Sequence, residues 1–311
     1  MIRRQARRFQ GAPQDSAASS TASHRQGRAP LKPDGYALFW GSPLALWQGL
    51  FFLAPLAFLV LMSFWSVKNF RLEPDLTGAN WVGMWRKGYV VDTYVRTLGY
   101  GALAAVVSSL IAFPASYALA FKTSAATRRL GIFLLITPFF TSYTVRIYSW
   151  QGVLSDDGIL NALFGYVGIG PVAMLNTLFG TVIGYLTLCL PLVILLQLFS
   201  LSNVDRSLIE AAHNLGCGRI RTVILVIIPS AKVGLILAAT FAFILSFGDF
   251  VSPVSLGGSK PPTLSILIVD TVKQGNHWPR AAVIAVTMVV TLIVVAFTAL
   301  YFAYAHRRAR S

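Results

Sequence analysis

The sequence predicts an all-α polytopic membrane protein with six transmembrane helices, and three observations lead to that fold class. Hydrophobic residues make up 55% of the chain and charged residues only 12%, which is about half the charged fraction of a soluble domain. The mean hydropathy is +0.65. Six apolar windows are long enough to cross about 30 Å of hydrocarbon, and a helix satisfies its own backbone hydrogen bonds inside lipid.

Loops and tails that hold almost all of the charge separate these windows. The windows span residues 44–65, 97–121, 130–150, 173–201, 233–256 and 281–305. We therefore divide the chain into five parts. They are a disordered basic tail (residues 1–40), a first transmembrane helix (41–66), an external loop (67–94), a five-helix core domain (95–305) and a second short tail (306–311). The Arg-rich, acid-poor start of the first tail also resembles a transit peptide, which is the alternative to a tail that fixes topology.

Basic residues outside the windows predict the orientation of the chain in the membrane. Six spans place both termini on one side, and that side carries 17 Lys and Arg residues against eight on the other. Because cytoplasmic loops carry the excess of Lys and Arg, both termini are predicted to be cytoplasmic. This asymmetry explains the net charge of +15, so nucleic acid is not an expected partner.

Motifs for cofactor chemistry are not found in the sequence. The chain has no GxxxxGK[ST] phosphate-binding loop, no GxSxG elbow and no His/Cys cluster with metal-ligand spacing. Cys189 lies in an apolar run and Cys217 in a polar segment, so a disulfide between them is not expected. We expect no cofactor, no metal site and no catalytic residue.

A polar segment at residues 210–229, EAAHNLGCGRIRTVILVIIP, interrupts two long uncharged runs. Ser207 and Glu210 fit the S-x-x-E capping box, which predicts that a helix begins near Ser207. Gly216 stands at a suitable helix end, because glycine adopts the left-handed conformation at least cost. A second helix is predicted at residues 219–228, and Pro229 either stops it or opens the next span.

The first of these two predicted helices carries a narrow apolar stripe. Leu208, Ala212 and Leu215 follow the i, i+4, i+7 spacing of one helix face. A helix of two or three turns is marginal alone in water, so it needs a docking surface on its own subunit or on another protein.

The segment resembles a known signature at complete spacing. EAAHNLG, nine further residues and then VIIP match EAA-x3-G-x9-I-x-L-P, with Val226 and Ile228 as conservative departures. This is the signature of the membrane subunits of binding-protein-dependent ABC importers. In that family the segment docks in a cleft of a separate ATPase, and the resemblance implies this coupling role for Ser207, Glu210, Ala211, Ala212, Gly216 and Pro229 within a coupling segment at residues 205–229. The alternative is that Glu210 only caps its own helix through Ser207.

The resemblance extends over residues 95–305. It includes the stretches PFFTS, RIYSW, GILN, GDFVSP, LGG and WP at residues 138–142, 146–150, 158–161, 248–253, 256–258 and 278–279. These are similar to permeases of polyamine importers, in particular the first permease subunit of spermidine/putrescine systems. Related permeases for amino-acid derivatives, opines, phosphonates, metals or anions share much of this pattern.

Membership of this family implies a fold and a set of partners. The fold is the type I ABC importer permease (MetI-like) fold in the inner membrane. The expected partners are an ABC ATPase dimer that hydrolyses the ATP, a second homologous permease subunit and an external (periplasmic) solute-binding protein, so the chain itself is not an enzyme. An ATPase-independent secondary transporter is the competing class, although we find no internal repeat to support it.

Three ionisable residues fall within or beside apolar windows, where a charge is costly and commonly functional. They are Arg146, Asp249 and Asp270, and we take all three as candidates for the substrate path. Carboxylates along the path would offset the lost hydration of a polycation, so Asp249, and after it Asp270, are candidates for solute contact. Two alternatives remain for Asp249: an ion pair with Arg146, or a helix cap near Pro253. Asp270 is alternatively part of an external loop.

Overall fold

The computed structural model describes residues 35–68, 71–168 and 170–305. The chain forms two compact units, divided between Pro55 and Leu56. The described part of the first unit is helix α1 (Gly35–Gln48), a π-helical turn (Gly49–Leu53) and the start of the next helix. Helix α1 begins inside the stretch assigned to the tail, because residues 36–40 are all apolar or aromatic. The remainder of both predicted tails lies outside the described residues.

The second unit is almost entirely helical. Its elements are α2 (Ala54–Met62, which starts in the first unit), β1 (Ser66–Lys68), β2 (Arg71–Glu73), α3 (Ala79–Trp85), α4 (Gly88–Phe121), α5 (Ala125–Ile136), a 3-10 turn (Thr137–Phe140), α6 (Tyr143–Leu154), α7 (Ile159–Tyr166), α8 (Leu178–Ser202), α9 (Arg206–Asn214), α10 (Arg219–Thr222), a π-helical turn (Val223–Ile227), α11 (Ile228–Gly248), α12 (Val251–Ser255), α13 (Leu264–Gly275) and α14 (Trp278–Tyr304).

Five helices in the described part of the chain are long and apolar enough to cross a membrane. They are Ser42–Met62, Gly88–Phe121, Leu178–Ser202, Arg219–Gly248 and Trp278–Tyr304. A pair of helical segments, Ala125–Phe140 and Tyr143–Tyr166, meets at 95° and is long and apolar enough for a sixth crossing if the two are counted together as one span. Helices make up most of each of the six predicted windows, which confirms the predicted all-α fold class.

The third window is not one straight helix. Its helix gives way to the 3-10 turn at Pro138 and then to extended backbone at Thr141 and Ser142, before α6 begins. Proline removes a backbone donor and blocks the preceding turn, so the break follows directly from Pro138. The bend places α6 on a different course from α5.

Two other windows also differ from their predicted bounds. The second helix begins at Gly88, well before residue 97, because Asp92 and Arg96 do not interrupt α4. The fifth helix begins at Arg219 and ends at Gly248, so residues 249–256 form a break and the separate helix α12.

Helices α4, α8 and α11 form the centre of the second unit. Their buried residues include Ala112, Cys189, Val193, Ala238 and Phe247. Cys189 is fully buried and free, as expected of a cysteine that packs as a small apolar residue. Helix α14 packs on α11 and α13 at the edge of this centre.

Helix α12 lies directly against α8, and small residues permit the approach. A Cβ added to Gly184 would lie 2.5 Å from the Cβ and Oγ atoms of Ser252, and one added to Gly180 would lie 2.6 Å from the carbonyl oxygen of Leu256. The Gly180–Gly184 pair therefore serves packing within one subunit, which is the role we expect for such a pair of small residues in a membrane helix.

Candidate functional site

Helix α9 carries most of the predicted coupling residues. It begins at Arg206, near the predicted start, but its N-cap lies two residues before Ser207. The N-cap is Asp205, whose Oδ1 accepts the N–H of Ser207 at 2.9 Å. The predicted capping role of Ser207 is therefore wrong. An aspartate before a helix caps at least as well as serine and adds a negative charge at the positive end of the helix dipole. This hydrogen bond from Ser207 lowers the pKa of Asp205.

The end of α9 is closed by a Schellman motif. The N–H of Gly216 donates to the carbonyl of His213 at 2.9 Å, and the N–H of Cys217 donates to the carbonyl of Ala212 at 3.0 Å. Gly216 has φ +80°, the left-handed conformation that the sequence predicted for it. Both ends of α9 are thus fixed by local hydrogen bonds.

One face of α9 is anchored to the bundle and the other is free. Ala212 is buried, and Ile209 packs against a cluster that includes Leu201 and Ile227. The predicted apolar stripe is therefore only partly buried. Ala212 packs against the bundle, whereas Leu208 is 48% exposed and Leu215 is 85% exposed.

The remaining coupling candidates lie on the outer surface. Ser207, Glu210, Ala211, Gly216 and Pro229 are all exposed. In the part of the chain that the structure describes, the Glu210 side chain makes no hydrogen bond or salt bridge, so the alternative in which it closes back on Ser207 is not observed. The surface of α9 thus combines an unpaired carboxylate with two exposed leucines.

The chain returns from α9 to the membrane as one continuous helix from Arg219 to Gly248. Pro229 does not stop this helix; it lies in the first turn of α11, which agrees with the predicted alternative in which it opens the next span. A π-helical turn at Val223–Ile227 lies just before Pro229. This turn changes the backbone hydrogen-bond pattern of the helix at the point where proline has no N–H to donate.

Asp249 lies in the break between α11 and α12 and is 8% exposed. Its two carboxylate oxygens accept the N–H groups of Val251 at 3.0 Å and Ser252 at 3.2 Å. The hydroxyl of Tyr143 donates to Oδ2 at 2.7 Å and also lies against the hydroxyl of Ser252. Asp249 is therefore a helix cap held by a tyrosine, one of the two structural alternatives that the sequence left open.

Arg146 lies on α6, one turn beyond Tyr143. Its guanidinium donates to the carbonyl of Thr187 at 3.2 Å and lies 5.9 Å from the Tyr143 ring centre. No salt bridge joins it to Asp249 within the described ranges. Its Nε and the hydroxyl of Tyr185, which is 1% exposed, are both buried without a hydrogen-bond partner there. A buried polar cluster thus occupies the meeting point of α6, α8, α11 and α12.

Asp270 lies outside this cluster, on α13 and in the wall of a polar cavity with Lys87 and Arg280. The cavity opens beside Tyr89 at the start of α4, whereas Ala120 at the other end of α4 belongs to the cluster that anchors α9. A helix of 34 residues is about 51 Å long. The structure therefore separates Asp270 from α9 by roughly the thickness of a membrane.

Two residues of these sites escaped the sequence analysis. Asp205 precedes Ser207 by two residues. An aspartate just before a stretch with helical apolar spacing is a recognised N-cap signal, so the sequence could have identified it. Tyr143 carried no such signal, because its partner Asp249 is distant in sequence and meets it only through the bend at Thr141 and Ser142.

Among the residues described, no group of three or more His, Cys, Asp or Glu side chains is arranged to hold a metal ion. The arrangement offers a docking surface at one end of the bundle and a buried polar cluster inside it.

Known proteins of similar sequence and fold are transport permeases. The spermidine/putrescine transport system permease protein PotB of Haemophilus influenzae is 27% identical over 255 residues, which cover 81% of this chain and 88% of that protein. The inner membrane ABC transporter permease protein YdcU of Escherichia coli K12 is 28% identical over 279 residues, covering 84% of this chain and 86% of that protein.

A solved bacterial ABC transporter involved in the import of the acidic polysaccharide alginate has the same fold. It superposes with a TM-score of 0.65 at 15% identity, covering 86% of this chain and 94% of that chain. A family model described as the binding-protein-dependent transport system inner membrane component matches residues 104–310. This chain therefore belongs to that family, as a multi-pass inner membrane permease subunit of an ABC importer.

Proposed function

We propose that this permease imports polyamines such as spermidine or putrescine and that α9 transmits the action of a separate ATPase dimer. The observation that carries the coupling role is the exposed surface of α9, a helix whose two ends are fixed. Leu208 and Leu215 are exposed on one side of it and Glu210 on the other. Exposed leucines on a short helix are costly unless a partner covers them, and a cleft on an ATPase is a suitable cover.

In this proposal α9 and both chain termini face the cytoplasm. The support is the excess of Lys and Arg on the side that carries α9. A second homologous permease completes the path through the membrane, and an external solute-binding protein delivers the solute. ATP binding closes the ATPase dimer and draws the two coupling helices together, which exchanges the inward-facing and outward-facing states.

The polyamine assignment is supported by two observations. One is the similarity over most of the chain to a spermidine/putrescine permease. The other is the carboxylate of Asp249, which lies in a helix break beside the hydroxyls of Tyr143 and Ser252. Hydroxyls and a carboxylate together replace the hydration of an ammonium group. The alternative is an importer of the same class for another small solute, such as an amino-acid derivative or an anion.

The coupling role is tested by Gly216→Ala, with Gly218→Ala as the matched control. Both positions have open space where the new methyl group would lie, but only Gly216 has a positive φ. The left-handed conformation costs alanine about 1–2 kcal/mol, which lowers the population of the docking conformer by a factor of about 5–30. We expect weaker ATPase association and lower coupled ATP hydrolysis for Gly216→Ala and little change for Gly218→Ala.

A second variant separates coupling from folding. Glu210→Lys reverses an exposed charge that has no salt-bridge partner among the described residues of the subunit, so membrane insertion should be normal. If the double variant Glu210→Lys/Gly216→Ala transports solute and stimulates the ATPase as the natural protein does, the docking role is wrong. Uptake that persists without any ATPase subunit would instead favour a secondary transporter.

The solute is tested by uptake of radiolabelled putrescine and spermidine with Asp249→Asn. Asparagine keeps an acceptor for the cap but removes the negative charge, so we expect the apparent affinity to fall about tenfold. Asp156→Asn is the control, since Asp156 lies at an exposed turn. Unchanged uptake with unchanged affinity for Asp249→Asn would remove Asp249 from the solute path.

A further inference from the structure

A polar cavity of about 280 Å³ lies at the end of the bundle that is opposite to α9. Its wall combines side chains from three places: Lys87 and Tyr89 at the start of α4, Asp270 on α13, and His277 and Arg280 at the start of α14. None of these residues belongs to the coupling surface or to the cluster around Asp249.

The charged side chains that line this cavity do not form ion pairs with one another. Lys87, Asp270 and Arg280 are each half-buried, and in the described portion of the chain none of them is within salt-bridge distance of an opposite charge. The Lys87 ammonium lies over the Tyr89 ring, 5.8 Å from its centre. Half-buried cations without a counter-charge are retained at an energetic cost unless a ligand supplies one.

Two long helices add to the positive potential. Lys87 is the N-cap residue of α4, which has 34 residues, and His277 is the N-cap residue of α14, which has 27 residues. The amino end of a helix carries about half a positive charge, so both helix ends reinforce Lys87 and Arg280.

The net charge of the cavity indicates the size of the missing counter-charge. Burial, and after it the positive charges of Arg280 and Lys87, lower the pKa of His277, so this imidazole is neutral at pH 7. Two cations and the carboxylate of Asp270 remain, which leaves one unit of positive charge. A monoanion balances that charge, whereas the repulsion from Asp270 disfavours a phosphate dianion.

We propose that this cavity binds a single carboxylate group, held by the guanidinium of Arg280 and the ammonium of Lys87. A planar guanidinium matches a carboxylate with two parallel hydrogen bonds. The carboxylate comes from an acidic side chain of the external solute-binding protein or from a small free carboxylate. The first source rests on the proposed function, because it needs this end of the bundle to face outward.

This inference also reassigns Asp270. A polycationic solute that approached Asp270 would meet Lys87 and Arg280 in the same cavity wall. Their repulsion offsets the attraction of a single carboxylate, so Asp270 belongs to the carboxylate site as the group that sets its net charge. Of the two carboxylates, Asp249 remains for the solute path.

The experiment uses the assembled transporter in lipid nanodiscs with Arg280→Gln and Lys87→Gln. Lys273→Gln is the control, because Lys273 lies on the same helix as Asp270 but is exposed and outside the cavity. In one arm, the affinity for the solute-binding protein of the same transport system is measured at low and high salt. In the other arm, sodium acetate is titrated while the thermal stability of the transporter is followed.

If the receptor supplies the carboxylate, both cavity variants weaken receptor binding about tenfold at low salt and the control does not. If a free carboxylate is the ligand, receptor binding is unchanged, and acetate stabilises the natural protein and the control but not Arg280→Gln. The inference is overturned if neither arm distinguishes the cavity variants from the control. The acetate arm requires neither ATP hydrolysis nor solute uptake, so its result is independent of the proposed function.

Discussion

Replacement of Gly184 by alanine tests whether the contact between α8 and α12 positions the polar cluster. The new Cβ would lie 2.5 Å from the Cβ and Oγ atoms of Ser252 and 3.2 Å from Cδ1 of Leu256. Ordinary contacts of this kind lie at 3.4–4 Å, so α12 must move by about 1 Å. Overpacking of this kind costs about 1–3 kcal/mol.

The expected result is a measurable loss of thermal stability together with a weaker polar cluster. A change of about 1–3 kcal/mol corresponds to a fall in Tm of roughly 2–10 °C for a chain of this size. Because Ser252 contacts both Tyr143 and Asp249, we also expect lower transport at temperatures where the variant is still folded. Tm is measured by a thermal-shift assay in detergent and transport by uptake into proteoliposomes.

Two further variants make this prediction specific. Gly99→Ala is the control, since Gly99 is exposed on α4 and has open space around it. Ser252→Gly removes the two atoms nearest to the new methyl group, so in combination with Gly184→Ala it should restore part of the lost stability. The reasoning fails if Gly184→Ala is as stable as Gly99→Ala, or if Ser252→Gly restores nothing.

Three other predictions follow from buried or capping polar groups. Asn161→Ala removes hydrogen bonds to Ser155 and Val172 that close the segment between α6 and α8, and should cost about 3 kcal/mol of stability by thermal unfolding. Gln197→Ala, at a residue that is 2% exposed and joins α8 to α4 by two hydrogen bonds, should cost about 2 kcal/mol or more in the same assay. The lowered pKa of Asp205 means that its ionised form stabilises α9, so this contribution is present above the ordinary value of 3.8 and is lost as the pH falls through the lower folded value. Hydrogen exchange of α9 should therefore be faster for Asp205→Ala than for the natural protein at pH 7, and the difference should shrink under strongly acidic conditions; an equal difference at both pH values would contradict the cap.

Local chemistry made much of the coupling segment predictable. Gly216 was assigned to a left-handed helix end because few other residues adopt that conformation at low cost, and its φ of +80° agrees. The cap was misplaced for an equally local reason: Asp205 and Ser207 both suit an N-cap, and the sequence pattern does not rank two neighbouring candidates. The π-helical turn before Pro229 has no comparable sequence signal. It depends on how the backbone hydrogen bonds of a long helix rearrange around the N–H group that proline lacks.

The sequence by itself determined which parts of the chain lie in lipid and which lie in water. Apolar windows of membrane length, a basic excess on one side and the complete EAA spacing are linear patterns, and they led to the fold class and the family without any contact being known. Lipid leaves the backbone few choices, which is why length and hydropathy were sufficient for this part.

Only the tertiary structure decided which polar residues meet. The bend after Pro138 brings Tyr143 to Asp249 across more than 100 residues of sequence, and the return of α13 and α14 brings Asp270 to Lys87 and Arg280. In a sequence, Asp249 and Asp270 are two similar carboxylates near the ends of apolar runs. Their surroundings make them different, because the energy of a buried charge depends on the groups around it, and those groups come from distant parts of the chain.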